Sequence, residues 1–119
     1  MVIPVVRRLH SPDVDDLPSH CPEISDKFSL LLQIMVGPSD SEGEESFDVT
    51  VCTPRWISDE LLNQGVLIGR HYLIVREYDY QSLERFIERY GAKCSADTWD
   101  GVAERLGRLG LWEFEDYQP

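Results

Sequence analysis

The sequence contains few of the features that indicate a nucleic-acid surface or a membrane span. Lys27 and Lys93 are the only lysines, and 22 acidic residues stand against 11 basic ones, so clustered contacts to phosphates are not expected. The longest apolar run, residues 30–36, is interrupted by one glutamine and is far shorter than the roughly 20 residues that span a bilayer. No long apolar stretch follows the arginines near the N-terminus, so we expect no signal peptide.

Metal-binding patterns are also scarce. Cys21, Cys52 and Cys94 are odd in number and widely spaced, which predicts reduced thiols in a cytoplasmic protein. The pair His20-Cys21 lacks the second ligand pair that a zinc site needs. The acidic stretch 40–45 departs from the calcium-loop pattern, because its glycine is fourth where that pattern requires the sixth position. We therefore expect neither a metal nor a cofactor.

Catalytic motifs are equally scarce. The chain has no Gly-x-Ser-x-Gly elbow, and no cysteine lies at a predicted helix start beside a basic residue. Glu113 and Glu115 would share one face of a predicted strand, so a small hydrolase that uses this carboxylate pair stays open as one hypothesis. The absence of other catalytic patterns predicts a protein that is not an enzyme.

The most pronounced feature that the sequence does have is its acidic character, with a formal net charge of -11. Arginines accompany the acids of the predicted helices, whereas the loops and the C-terminal segment carry acids without neighbouring bases. This contrast predicts a cationic partner that is recognised by loops on a rigid scaffold. The acidic segments are Asp13, Asp15 and Asp16, then Asp40, Glu42, Glu44 and Glu45, and finally Glu113, Glu115 and Asp116.

We predict that the partner contacts six of these acids and one tryptophan. Trp56 is included because the helix predicted around it has a ragged apolar face, and tryptophan is enriched at binding hot spots. The predicted partner-binding residues are Glu42, Glu44, Glu45, Trp56, Glu113, Glu115 and Asp116.

Hydrophobic periodicity predicts a single α+β domain over residues 1–119, with a mostly antiparallel sheet and two or three helices packed on one side. The second and third strands are predicted to form a long hairpin with acids at its tip. The predicted strands are 2–9, 28–36, 47–52, 71–78 and 111–117. The first predicted helix starts at Thr53-Pro54 and ends at Gly65, and the second starts after Asp79 and ends at Gly91. The third starts after Ser95 or Asp97 and ends at Gly110.

Two stretches resemble the eighth family of bacterial polymorphic-toxin immunity proteins, which are antidotes of the contact-dependent-inhibition type. One is Phe-Asp-Val-Thr-Val-Cys-Thr-Pro-Arg-Trp at residues 47–56, which runs from a strand into a helix. The other is the ending from Trp99 to Tyr117, with Trp-Glu-Phe-Glu-Asp-Tyr at residues 112–117. The similarity extends from residue 28 onward, and residues 1–27 match only loosely.

The resemblance implies a non-enzymatic antitoxin that binds the C-terminal toxic domain of a secreted or contact-delivered toxin in the cytoplasm. We expect that toxin to be a nuclease, because a nuclease groove is basic and an acidic antidote would occlude it. The residues by themselves leave an alternative open, namely an acidic protein–protein interaction module or adaptor without a toxin partner.

Overall fold

The computed structural model describes residues 1–117, which form a five-stranded mixed sheet and three helices. The order of the elements along the chain confirms the predicted order, and the α+β class is confirmed. The elements are β1 (Pro4–His10), β2 (Ser29–Pro38), β3 (Glu45–Cys52), α1 (Pro54–Gln64), β4 (Tyr72–Ile74), α2 (Tyr80–Ala92), α3 (Trp99–Leu106) and β5 (Leu111–Trp112).

The sheet is built around β3. Strand β2 pairs with it antiparallel along its whole length, from Ser29 opposite Cys52 to Val36 opposite Glu45, which confirms the predicted hairpin. β1 lies antiparallel on the outer side of β2. The other side of β3 is shared, because β4 runs parallel to its last residues and β5 runs antiparallel to its first ones. The sheet is therefore mostly antiparallel, with one parallel pair.

One face of the sheet carries the core. Side chains alternate between the two faces of a strand, and the buried side chains of β2 and β3 belong to the same face, apart from Cys52 at the end of β3. Helices α2 and α3 cover that face, while α1 buries no residue at all. The core residues of these four elements are Leu30, Leu32, Ile34, Val36, Phe47, Val49, Val51, Leu83, Ile87, Val102, Ala103 and Leu106.

Helix α1 starts and ends as its sequence predicts. The hydroxyl of Thr53 accepts a hydrogen bond from the Trp56 backbone N–H at 3.3 Å, and Pro54 occupies the first turn, where its missing N–H costs nothing. Gly65 ends the helix with φ at 77°, a conformation that a side chain would strain.

The predicted strand at 71–78 is mostly wrong, because only Tyr72–Ile74 pair with β3. His71 has a left-handed φ of 64°, which turns the chain just before the strand. The N–H of Val75 makes a last bond to Cys52 at 2.8 Å, and β3 ends there, so the following residues have no strand to pair with.

The predicted strand at 111–117 is also wrong beyond Trp112. The chain then turns back on itself, with the N–H of Glu115 bonded to Trp112 O at 3.0 Å and that of Tyr117 to Phe114 O at 3.1 Å. The aromatic rings of Trp112, Phe114 and Tyr117 consequently contact one another edge-to-face, with centroids 5.8 and 5.7 Å apart. Alternation of apolar and acidic residues predicts an extended strand, but β3 offers too few residues here to pair with one.

Candidate partner-binding site

Two acidic segments that are far apart in the sequence meet at the end of the sheet where β3 begins. The backbone N–H of Ser46 donates to Oε1 of Glu113 at 2.8 Å, and the N–H of Glu113 donates to the carbonyl of Ser46 at 3.1 Å. The hairpin tip and the C-terminal turn are therefore neighbours. We call this region the acidic end, and its acids are Asp40, Glu42, Glu44, Glu45, Glu113, Glu115 and Asp116.

The half-buried carboxylate of Glu45 connects three elements. Its Oε1 accepts hydrogen bonds from the indole N–H groups of Trp99 and Trp112, each at 2.8 Å. Trp99 starts α3 and Trp112 ends β5, so one oxygen of the hairpin holds both of them. Hydrogen bonds to a charged acceptor are stronger than neutral ones, which makes Glu45 an internal anchor of the acidic end.

The hairpin tip is held in place by an arginine of β1. Nη2 of Arg7 donates to the carbonyl oxygens of Pro38 and Ser41, at 2.6 and 2.7 Å. The tip also folds back tightly, because a Cβ at Gly37 would lie only 2.1 Å from the Gly43 carbonyl oxygen. The acids of the tip are thus presented by a fixed loop.

Two of the acids form exposed ion pairs with distant arginines. Arg8 contacts Oε1 of Glu44 through Nη2 at 2.7 Å and through Nε at 3.0 Å, and Arg70 contacts Oε1 of Glu115 at 2.8 Å. Exposed pairs of this kind contribute about 0–1 kcal/mol, so neither arginine adds much to the stability of the fold.

Three acids of this region have no partner within residues 1–117. Asp40, Glu42 and Asp116 are exposed, and they form neither an ion pair nor a side-chain hydrogen bond within that part of the chain. The acidic end therefore keeps an excess of negative charge that its arginines do not neutralise.

The structure does not bring Trp56 to the acidic end. Trp56 follows the opposite end of β3, which is eight residues long and so spans about 25 Å at the usual rise per residue. The half-buried Trp56 ring contacts Tyr72 of β4 edge-to-face, with centroids 6.3 Å apart. Its predicted role in binding therefore needs a second contact area.

The acidic segment that contains Asp13, Asp15 and Asp16 also lies at the far end of the sheet. The carboxylate of Asp13 accepts a hydrogen bond from the Leu31 N–H at 2.9 Å, near the start of β2. The same loop is joined to α1 by ion pairs of 2.6 Å, from Asp26 to Arg55 and from Lys27 to Asp59.

Residues 5–117 match the protein family described as Immunity protein 8. The chain belongs to this family. The match includes residues 5–27, which the two stretches that carry the sequence resemblance do not cover. No curated protein and no solved structure matches the chain significantly.

The two buried thiols of this immunity protein give little support to nucleophilic chemistry. Burial raises the pKa of Cys52 and of Cys94, so both are protonated at neutral pH and are weak nucleophiles. The Cys94 thiol donates to the Tyr90 carbonyl oxygen at 3.3 Å. Within residues 1–117, no helix is long and apolar enough to cross a membrane, and no three His, Cys, Asp or Glu side chains are grouped to hold a metal ion.

Proposed function

We propose that this immunity protein binds the toxic domain of its cognate toxin in the cytoplasm and inhibits it, without turnover, by covering a cation-rich surface with the acidic end. One observation carries the proposal: segments 67 residues apart are joined, through Ser46 and Glu113, into one acidic surface on a fixed frame. We further propose that the toxin is a nuclease. A nuclease must bind phosphates, so its groove is basic and attracts clustered carboxylates.

The proposal assigns different roles to the predicted residues. Glu42 and Asp116 contact the toxin directly, because they are exposed and have no partner within residues 1–117. Glu44 and Glu115 exchange their arginines for cations of the toxin.

Glu45 and Glu113 already accept hydrogen bonds from the protein's own indole and backbone N–H groups. They therefore position the acidic end more than they bind the toxin. Trp56 would contribute only if the toxin also reaches α1.

Electrostatic attraction gives an antidote a kinetic advantage. Complementary charge raises association rates toward 10⁸–10⁹ M⁻¹s⁻¹ at low salt, and this effect weakens as the Debye length falls to about 10 Å at 0.1 M salt. An acidic end that attracts the toxin therefore predicts association that slows steeply with ionic strength.

Co-expression with the C-terminal domain of the cognate toxin is the direct test. We expect the cells to survive, the two proteins to co-purify, and the purified toxin to stop cleaving DNA or RNA when the immunity protein is added. Cell death with no co-purification would contradict the proposal and favour the adaptor alternative. A protected toxin that cleaves no nucleic acid would remove only the nuclease assignment.

A charge-matched pair of variants tests the binding surface. Glu42→Gln with Asp116→Asn should slow association with the toxin roughly tenfold at low salt and flatten its salt dependence, because rim charges act mainly on the on-rate. The control, Asp15→Asn with Glu23→Gln, removes the same charge from the exposed loop at the far end. Equal slowing in both double variants would show that net charge, and not the acidic end, attracts the toxin.

A further inference from the structure

The most exposed large aliphatic side chains outside the N-terminus lie in one short segment. Leu62 is 83% exposed, Val66 is 78% exposed and Ile68 is 83% exposed. They belong to residues 61–69, which contain no aspartate, glutamate, lysine or arginine in a chain of net charge -11. We call residues 61–69 the apolar segment.

The fold does not use these side chains. The apolar segment comprises the last turn of α1 and the connection to β4, and α1 buries no residue. Gly65 ends the helix, and Val66 and Ile68 beyond it stay exposed. Soluble monomers rarely expose contiguous apolar patches without a binding role, since each such group prefers to leave water.

The apolar segment leads directly to the acidic end. Arg70 follows it and forms the 2.8 Å ion pair with Glu115, and Nε2 of His71 donates to the carbonyl of Gly107 at 2.8 Å. These contacts place the end of the segment beside the C-terminal turn. Two aromatic rings of that turn are also exposed, Phe114 at 39% and Tyr117 at 66%.

We infer that the apolar segment, with Phe114 and Tyr117, is the apolar centre of the toxin-binding surface, and that the acidic end forms one side of its rim. The inference rests on the proposed function. It also specifies the partner: the toxin presents an apolar depression bordered by lysine or arginine. Interfaces are commonly organised in this way, with a desolvated apolar centre that slows dissociation and a charged rim that speeds association.

Charge favours the toxin over a second copy of this chain as the occupant. Two copies would each bring a net charge of -11, and the acids beside the segment, Glu115 and Asp116, would approach those of the partner copy. Like charges at a contact are costly and suppress pairing. A cationic surface attracts the same acids.

The test compares the dissociation of the toxin from variants with and without the exposed aliphatic groups. The double variant Leu62→Ser with Ile68→Ser should dissociate from the toxin domain at least about tenfold faster, with its association rate and salt dependence little changed. Ile24→Ser is the control, because Ile24 is an aliphatic residue, 45% exposed, in the loop at residues 11–26. Its dissociation rate should equal that of the wild type.

Each contrary outcome identifies which proposal fails. Wild-type protein that does not bind the toxin overturns the proposed function and this inference together. Slowed association in the Glu42/Asp116 double variant, with unchanged dissociation in the Leu62/Ile68 double variant, overturns this inference alone. A wild-type dimer at micromolar concentration that the Leu62/Ile68 substitutions dissociate assigns the segment to self-association and also overturns it.

Discussion

The acidic end and the apolar segment are both exposed, yet they are attached to the fold in different ways. The acidic end is fixed by Arg7, by the backbone of Ser46 and by the Glu45 carboxylate between two indoles. The apolar segment extends from α1, which has no buried residue and is held at its start by the Thr53 cap. In these two regions the charged side chains hold the fold together, whereas the exposed aliphatic side chains do not contribute to it.

This reversal of the usual roles has a physical origin. A carboxylate lowers the free energy of folding when it accepts hydrogen bonds from groups that would otherwise lose water, as the two half-buried indoles would. An aliphatic group lowers it only by leaving water, which Leu62 and Ile68 do not do in this chain. Stability measurements can therefore separate the two regions.

The largest effect is expected at Glu45. Glu45→Ala should lower the free energy of unfolding by about 2–3 kcal/mol, because both indole N–H groups lose their acceptor while remaining half-buried. Urea denaturation followed by tryptophan fluorescence measures the loss, and a Trp56→Phe background isolates the signal of the two affected indoles. Glu45→Gln keeps one acceptor oxygen and should lose less. Equal stability of Glu45→Ala and wild type would remove the anchoring role.

A smaller effect is expected at the start of α1. Thr53 is fully buried, and its hydroxyl accepts bonds from the backbone N–H groups of Phe28 and Trp56, both at 3.3 Å. Thr53→Ala should therefore cost about 1–2 kcal/mol in urea denaturation. Thr53→Ser retains the hydroxyl and serves as the control. If serine is as destabilising as alanine, the methyl group and not the cap fixes the helix.

The smallest effect is expected in the apolar segment. Leu62→Ser should change the free energy of unfolding by no more than about 0.5 kcal/mol, as for other surface substitutions. Thermal and urea denaturation provide the measurement. A loss comparable to that of a buried leucine would show that the segment packs against the protein, and the contrast between the two regions would disappear.

Local patterns were sufficient to predict most of the elements. The alternation in residues 28–36 and 47–52 predicts the hairpin. Thr53 and Gly65 mark the start and the end of α1, and Asp79 marks the start of α2, and the structure confirms all three. These signals act between residues that are close in the sequence. The predicted strand lengths are wrong where they depend on pairing with β3, because β4 ends at Ile74 and β5 ends at Trp112.

The candidate site was predictable only in part. The acidic residues could be named from the sequence, but their neutralisation could not, because Arg8 lies 36 residues from Glu44 and Arg70 lies 45 residues from Glu115. The apolar segment was missed for a related reason. Aliphatic residues beside a predicted helix are usually buried, and the ragged apolar face of the helix predicted around Trp56 was too weak a sign that α1 buries no residue.

The sequence by itself determined the negative charge, the order of the elements and the inner face of the sheet, since composition and periodicity are local properties. Only the tertiary structure decided that Glu45 anchors two tryptophans, that two acidic segments join beside Ser46, and that Leu62 and Ile68 stay in water. These features depend on β5 pairing with the start of β3 and on α1 burying none of its side chains. The first is a contact between residues far apart along the chain, and the second is the absence of such contacts.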